Sequence, residues 1–199
     1  MTLLVGPDKV AFTVHKDLVC AASRYFNSML NRDDGEHQTE LLPLEKRIEV
    51  FDDFVHWLYH DVENESQPYL TGSTQIRHYL DLYVFADRYE VLELKNEILD
   101  QLVTTPEIGG TTRLFSETEA YWIYRRLPRG SGLRKLLADV WIDADNRQET
   151  RRLMTKNWMS ANPELTADLL NSMNRELGRL DYLRVPVGSR DPRTYHDSS

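Results

Sequence analysis

A histidine, a lysine, an aspartate and the only cysteine of the chain lie within nine residues, in the stretch FTVHKDLVC from Phe12 to Cys20. These side-chain types can form a nucleophile, a base and a group that orients the base. However, Cys20 lies in the apolar run of a short predicted helix, where a thiol has a raised pKa and reacts poorly. We therefore predict that Cys20 fills space, that the ring of His15 bonds loop carbonyls at a strand-to-helix corner, and that Asp17 caps the helix.

Two further histidines, His56 and His60, are four residues apart, so both could face one metal ion from the same helix. A zinc site takes three or four ligands, and no cysteine or glutamate lies close enough in sequence to complete one. Trp57 occupies the position at which the motif H-E-x-x-H carries its catalytic glutamate. We predict no metal and no cofactor. A small enzyme that uses His56, His60 or Cys20 remains the third of three functional hypotheses.

The composition argues against nucleic acid as the main partner. The chain has 199 residues and a formal net charge of −8, and an acidic chain repels phosphate backbones. A single cysteine cannot form an internal disulfide. The first apolar run is too short for a signal peptide, and no stretch approaches the roughly 20 apolar residues of a membrane helix. We expect a soluble intracellular protein, in the cytoplasm or nucleus, without membrane contact.

The first hundred residues predict a small sheet and several helices. The β-prone runs TLLV and VAFTV flank the turn-forming residues GPDK, which predicts a hairpin. Val10, Phe12 and Val14 alternate with smaller residues, as in a strand with one buried face. Ser23 is placed to cap a second short helix, and TELLPL predicts an extended piece. Three longer helices with apolar residues three and four apart follow, and the middle one is apolar on more than one side.

The remainder of the chain predicts helices only, after a stretch rich in Thr, Gly and Pro at 104–112. Ser116 and Glu119 have the spacing of a capping box, and Asn162 with Pro163 is a typical helix start. Between them, apolar residues three and four apart predict a strong helix. Beyond Leu180 no period is visible, and we predict disorder. The predicted regions are a first domain at 1–103, a helical extension at 104–180 and a disordered tail at 181–199.

Three blocks of this sequence resemble the signature blocks of the BTB/POZ domain family. They are VGPDKVAFTVHKDLVCAASRYFNSML, FDDFVHWLYHD and LYVFADRYEVLELKNEILDQL, and they cover about residues 1 to 103. A later block, YWIYRRLPRGSGLRKLLADVWID, resembles the helical extension of BTB proteins common in filamentous fungi. The residues that match the family motifs, to which we assign structural roles, are Phe12, Val14, His15, Lys16, Ser23, Phe26, Met29, Leu30, Phe51, Phe54, Trp57, Leu58, Tyr59, Leu82, Tyr83, Ala86, Asp87, Tyr89, Leu94 and Asn96.

The resemblance implies an α+β fold, in which a small N-terminal sheet packs against a cluster of helices and an all-helical extension follows. It also implies a non-catalytic interaction module, because BTB domains self-associate or recruit partners such as cullin-type ubiquitin-ligase scaffolds or repressor complexes. Our first hypothesis is therefore an interaction module of this kind. The second is a substrate adaptor for a cullin ubiquitin ligase.

Two departures from the family pattern bear on these hypotheses. Many self-associating members exchange a helix that precedes the first strand, whereas strand-like residues begin here at Thr2. Cullin-recruiting members often carry an apolar-x-Glu word after the Met-Leu helix. Here the corresponding stretch is NRDDGEHQ, without a large apolar residue, and the loss of such an anchor commonly costs about 1–3 kcal/mol of binding free energy. We therefore expect other modes of self-association and do not favour cullin recruitment.

Overall fold

A computed structural model describes seven stretches of the chain, and all structural statements below concern those stretches. They are residues 1–31, 39–42, 48–63, 76–104, 115–142, 160–178 and 190–197. The chain divides into two compact units, Met1–Leu94 and Lys95–Ser199. Within the described stretches, no helix has both the length and the apolar character needed to cross a membrane.

The first unit combines a three-stranded sheet with helices, which confirms the α+β prediction. One further helix, α5, begins in this unit and continues into the second. The elements are β1 (Thr2–Val5), β2 (Val10–Thr13), α1 (Lys16–Ala22), α2 (Arg24–Leu30), β3 (Thr39–Leu42), α3 (Ile48–Glu63), α4 (Ile76–Arg88) and α5 (Leu92–Thr104).

The sheet has the strand order β2-β1-β3, so β1 is central. β1 and β2 form the predicted hairpin in antiparallel register, with Leu3 opposite Phe12. Its turn includes Gly6 and Lys9, both with positive φ, and the Lys9 N–H donates to the Gly6 carbonyl at 3.2 Å. β3 pairs parallel with β1 and accounts for most of the predicted extended piece. The predicted buried face is confirmed, since Val14 is buried and Phe12 is half-buried.

Two predictions about the helices of the first unit are confirmed. The Ser23 hydroxyl accepts the Phe26 N–H at 3.0 Å, and this cap begins α2. α4 is buried on more than one side of its axis, as a central helix must be. Its buried residues are Leu80, Leu82, Tyr83, Phe85 and Ala86.

The second unit is helical throughout its described part. Its elements beyond α5 are α6 (Glu117–Arg126), α7 (Gly132–Ile142), α8 (Pro163–Gly178) and a 3-10 helix (Pro192–Thr194). The predicted capping box is present at α6, because the Ser116 hydroxyl accepts the Glu119 N–H and the Glu119 carboxylate accepts the Ser116 N–H at 2.6 Å. α8 begins at Pro163 as predicted, with the Thr166 N–H donating to the Asn162 carbonyl at 2.9 Å.

The prediction of disorder after Leu180 is wrong for residues 190–197. This stretch contains the 3-10 helix, and Tyr195 is 0% exposed. The stretch has no apolar period because hydrogen bonds and ion pairs, described below, provide most of its contacts. The remaining tail residues, 181–189 and 198–199, lie outside the described part of the chain.

Candidate functional site

The corner between β2 and α1 is fixed by a contact between His15 and Tyr59 of α3. The His15 backbone N–H donates to the Tyr59 hydroxyl at 3.0 Å, and the His15 Nδ1 lies 2.8 Å from the same oxygen. The Tyr59 hydroxyl therefore contacts both the backbone and the ring of His15. The prediction that the His15 ring bonds loop carbonyls is wrong about the partner, because the ring contacts the hydroxyl of Tyr59 on α3.

The arrangement around Cys20 makes its thiol a poor nucleophile. Burial is the main cause that raises its pKa; the Lys16 ammonium lowers the pKa and the Asp17 carboxylate raises it. Most of the thiol is therefore protonated near neutral pH. Asp17 does not cap α1 as predicted, because His15 holds the cap position and Asp17 lies within the first turn, where its charge favours the helix dipole.

His56 of α3 and His78 of α4 each lie close to a carboxylate of α3. His56 Nε2 lies 3.7 Å from the Asp52 carboxylate on the same exposed surface. His78 of α4 reaches Asp53 of α3 at 2.8 Å, and burial is the main cause that raises the pKa of Asp53. Throughout the described residues, no group of three or more His, Cys, Asp or Glu side chains is arranged to hold a metal ion. The enzyme hypothesis thus gains no assembled centre from this part of the chain.

Residues from all three motif blocks meet in one aromatic cluster of the first unit. The ring of Phe26 stacks on Tyr89 with centroids 5.3 Å apart and on Phe54 at 5.9 Å. The Ser23 hydroxyl donates to the Tyr89 carbonyl at 2.5 Å, so the cap of α2 is also a buried link to the end of α4. Tyr25 contacts Tyr89 edge-on at 5.2 Å and remains 38% exposed. Phe26, Phe54 and Tyr89 therefore pack against one another in the core of the first unit.

The other motif residues are distributed between the core and the half-buried shell. Six of them are buried, namely Phe51, Leu58, Leu82, Tyr83, Ala86 and Leu94. Met29, Leu30, Trp57 and Asp87 are half-buried, whereas Lys16 is exposed. Asn96 belongs to the second unit, where its side-chain oxygen accepts the Asp197 N–H at 2.9 Å. The assignment of these residues to structural roles as a family motif remains a prediction.

The outer side of β2 presents an unpaired strand edge among the described residues. Met1 and Val14 exchange two backbone hydrogen bonds of 3.0 Å each. Hydrogen-bonded pairs alternate with non-bonded pairs along an antiparallel ladder. Ala11 and Thr13 therefore point their N–H and C=O groups away from β1, and both side chains are exposed. The edge can accept a further strand from another chain.

The second unit contains a buried carboxylate, Asp139, on α7. Asp139 is 5% exposed and accepts hydrogen bonds from the Ser172 hydroxyl and from Arg175 at 2.6 Å. Its second oxygen accepts from Arg190 at 3.0 Å and from the Tyr195 hydroxyl at 3.2 Å. A buried charge is tolerated only when it is paired and hydrogen-bonded, and Asp139 meets that condition through both oxygens.

One turn before Asp139, Arg134 is 1% exposed and is the largest fully buried side chain of the described residues. Its guanidinium contacts Asp168 at 3.1 Å and Glu164 at 2.9 Å, both on α8. It also lies 4.1 Å from the ring centroid of Tyr124 on α6. Burial and the neighbouring Asp168 raise the pKa of Tyr124. Arg134 thus links α6, α7 and α8 by charge and by a cation–π contact.

The apolar residues of α7 predict the helix, but their spacing alone does not identify Arg134 and Asp139, which lie between them, as buried charges. A usable signal was present, because a helix whose apolar residues cover most of its circumference must bury the charges among them. The partners at 164–175 and 190–195 are distant in sequence and could not be assigned from spacing.

A depression lies beside α7 in the described part of the second unit. It has a volume of about 160 Å³, and its lining includes Ser131, Lys135, Asn171 and Arg175. Sites for small molecules usually enclose about 300 Å³ or more. This concavity therefore gives no support to a small-molecule function.

The comparisons with known proteins agree with the motif blocks. The family model of the BTB/POZ domain matches residues 1–105, which is more than half of the chain. No curated protein matches the chain. The matched residues contain the hairpin, the capped α2 and the aromatic cluster in which the three motif blocks meet. The chain therefore belongs to the BTB/POZ domain family.

Proposed function

We propose that this protein is a non-catalytic protein–protein interaction module that acts by self-association or by recruitment of a partner protein. The observation that carries the proposal is the family match over residues 1–105, since BTB/POZ domains are protein-interaction modules. The poor nucleophilicity of Cys20 and the pairing of the histidines with carboxylates support a role without catalysis. We place the interaction domain at 1–103 and a helical extension at 104–180, within an intracellular protein.

The outer edge of β2 is the contact that we propose for the first unit. An incoming strand would bond the outward N–H and C=O groups of Ala11 and Thr13, and its affinity would come from the main chain. Ala11→Pro removes an outward N–H while leaving the bonds between β1 and β2 in place. Ala11→Val is the matched control, because it keeps the N–H and suits a strand.

Light scattering of the purified chain, followed by affinity capture from its native cells, tests the proposal. We expect a dimer or larger species, or a captured protein, that is lost in Ala11→Pro and retained in Ala11→Val. A chain that stays monomeric and captures no protein would contradict the proposed function. Equal behaviour of the two variants would contradict only the assignment of the contact to β2.

Recruitment of a cullin stays a separate hypothesis with a separate test. The sequence between α2 and β3 offers no large apolar anchor, and most of it, residues 32–38, lies outside the described residues. A direct binding assay with a purified cullin N-terminal region decides the matter. We expect no binding at tens of micromolar, and clear saturable binding in that range would restore the adaptor hypothesis.

A further inference from the structure

The outer face of α6 carries two neighbouring pairs, each formed by an aromatic ring and an arginine. In each pair the arginine comes four residues after the ring, so the two side chains meet on the helix surface. The guanidinium of Arg125 lies 5.4 Å from the ring centroid of Tyr121, and that of Arg126 lies 4.4 Å from the ring centroid of Trp122. These four residues, which we call the α6 surface, therefore present two cations on aromatic supports.

The α6 surface is accessible to solvent. Tyr121 is 54% exposed, more than any other large apolar side chain of the described residues. Arg125 and Arg126 are exposed, and Trp122 is half-buried. A single exposed tyrosine is ordinary, but tyrosine, tryptophan and arginine are the residue types that carry most of the binding energy at protein–protein interfaces. All three types occur together here, which favours a contact with another protein.

Within the part of the chain that the structure describes, neither guanidinium of the α6 surface contacts a carboxylate. The Nη1 of Arg125 donates to the Tyr121 hydroxyl at 3.4 Å, and the guanidinium of Arg126 contacts the Trp122 ring. The side chain of Arg129, by contrast, is 80% exposed and still contacts a carboxylate of α8 at 2.9 Å. The charges of Arg125 and Arg126 are therefore available to an acidic partner.

The sequence around the α6 surface is basic, although the whole chain has a formal net charge of −8. Residues 120–138 contain four arginines, one lysine and no aspartate or glutamate. The helix dipole favours cations in the last turn of α6, and this effect alone explains their position along the helix. It does not explain the aromatic ring beside each of them. A ring that stacks on a guanidinium orients it and leaves the N–H groups at its edge for hydrogen bonds.

We propose that the α6 surface is a docking surface for an acidic segment of a partner protein. The carboxylates of that segment bind the N–H edges of Arg125 and Arg126, since a guanidinium and a carboxylate form paired hydrogen bonds. The rings of Tyr121 and Trp122 cover apolar atoms of the segment. The inference rests on the proposed recruitment of a partner protein and names the chemistry of one such partner. It concerns a contact of the second unit, separate from the edge of β2.

Charge complementarity favours an acidic protein segment as the occupant. The net charge of −8 opposes an acidic partner elsewhere on the chain, so such a segment is directed to the place where the cations are concentrated. Nucleic acid also offers negative charges, and its bases can stack on aromatic rings. However, two arginines neutralise too few phosphates to offset the repulsion by the rest of the chain.

Fluorescence anisotropy of a labelled octaglutamate peptide, mixed with the purified full chain, tests the α6 surface. We expect saturable binding at about 50 mM salt, where charges are only partly screened. Arg125→Gln/Arg126→Gln removes both charges but keeps polar side chains, and the dissociation constant should rise at least about tenfold. Tyr121→Ala removes a ring but no charge, and the dissociation constant should rise by a smaller factor of about two to five.

The matched control is Arg24→Gln/Arg88→Gln, which removes two exposed arginines of the first unit and should bind the peptide as the parent chain does. Equal affinities of the two double variants, or no binding to the parent chain, would overturn the inference. So would tighter binding of an octathymidylate than of the peptide, which would assign the surface to nucleic acid. Self-association that is lost in Arg125→Gln/Arg126→Gln would also overturn it, in favour of a second copy.

The variant Ala11→Pro separates this inference from the contact proposed for β2. It should bind the octaglutamate peptide with the affinity of the parent chain, because the α6 surface is unchanged in it. Conversely, Arg125→Gln/Arg126→Gln should keep any association that depends on β2. Loss of peptide binding in Ala11→Pro would contradict the assignment of the acidic segment to α6. Melting curves of all variants should match that of the parent chain, since the substituted arginines are exposed.

Discussion

The two units of this protein bury different chemistry at their centres. In the first unit the rings of Phe26, Phe54 and Tyr89 stack on one another. In the second unit the central helix α7 buries Arg134 and Asp139 among its apolar residues. Aromatic packing requires mainly shape, whereas a buried charge requires a specific partner at hydrogen-bond distance. We therefore expect substitutions in the first unit to lower the free energy of unfolding by moderate amounts. In the second unit, we expect the loss of a single buried charge to lower it much more.

The strongest test of this difference is Asp139→Ala. The substitution leaves Arg190 and the Tyr195 hydroxyl without their shared acceptor in a buried place. Removal of one partner of a buried pair commonly costs about 3–5 kcal/mol in the free energy of unfolding. Denaturant unfolding followed by tryptophan fluorescence measures the loss. Asp139→Asn, which keeps an acceptor oxygen but removes the charge, serves as control and should lose less. A cost below about 1 kcal/mol for Asp139→Ala would refute the role of the charge.

The matching test in the first unit is Phe26→Leu, which keeps an apolar side chain but removes the stacked ring. Two aromatic contacts are lost, to Tyr89 and to Phe54, and a small cavity remains. We expect a loss of about 2–3 kcal/mol in the free energy of unfolding, smaller than that of Asp139→Ala. The same denaturant experiment compares the two. A larger loss for Phe26→Leu than for Asp139→Ala would reverse the comparison.

A smaller effect is expected for Ser23→Ala, which removes a polar link between α2 and the aromatic cluster. The change deletes the cap of α2 and the hydrogen bond to the Tyr89 carbonyl. We expect a cost of about 1–2 kcal/mol, typical of a lost cap with a buried acceptor. Ser23→Thr should recover most of it, because a threonine hydroxyl can also cap a helix. If alanine and serine gave equal stability, the link would have no energetic role.

The separation along the chain between interacting residues explains how much the sequence could predict. The hairpin, the capping box and the start of α8 follow from local patterns, because their causes lie within a few residues of one another. The contact of His15 with Tyr59 joins residues 44 apart, and the contact of Asp139 with Tyr195 joins residues 56 apart. No spacing rule identifies such partners, and the segment 190–197 has no apolar period because its partners are charges on α5 and α7.

The smallest expected effect concerns the pKa of the Cys20 thiol in the first unit, on which the charges of Lys16 and Asp17 act. Because burial raises the pKa of the thiol, alkylation should reach half its maximal rate at a higher pH than for free cysteine, whose pKa is about 8.5. Lys16→Ala removes a charge that lowers this pKa and should move the midpoint up, whereas Asp17→Asn should move it down. The folded state should also lose a little stability as the pH rises above about 8.5, since the unfolded thiol ionises first. Rates of iodoacetamide alkylation between pH 7 and pH 10, with glutathione as reference, measure the midpoints on the scale of thiol pKa values. A midpoint below that of glutathione would show an activated thiol and would reopen the question of a reaction centre at FTVHKDLVC.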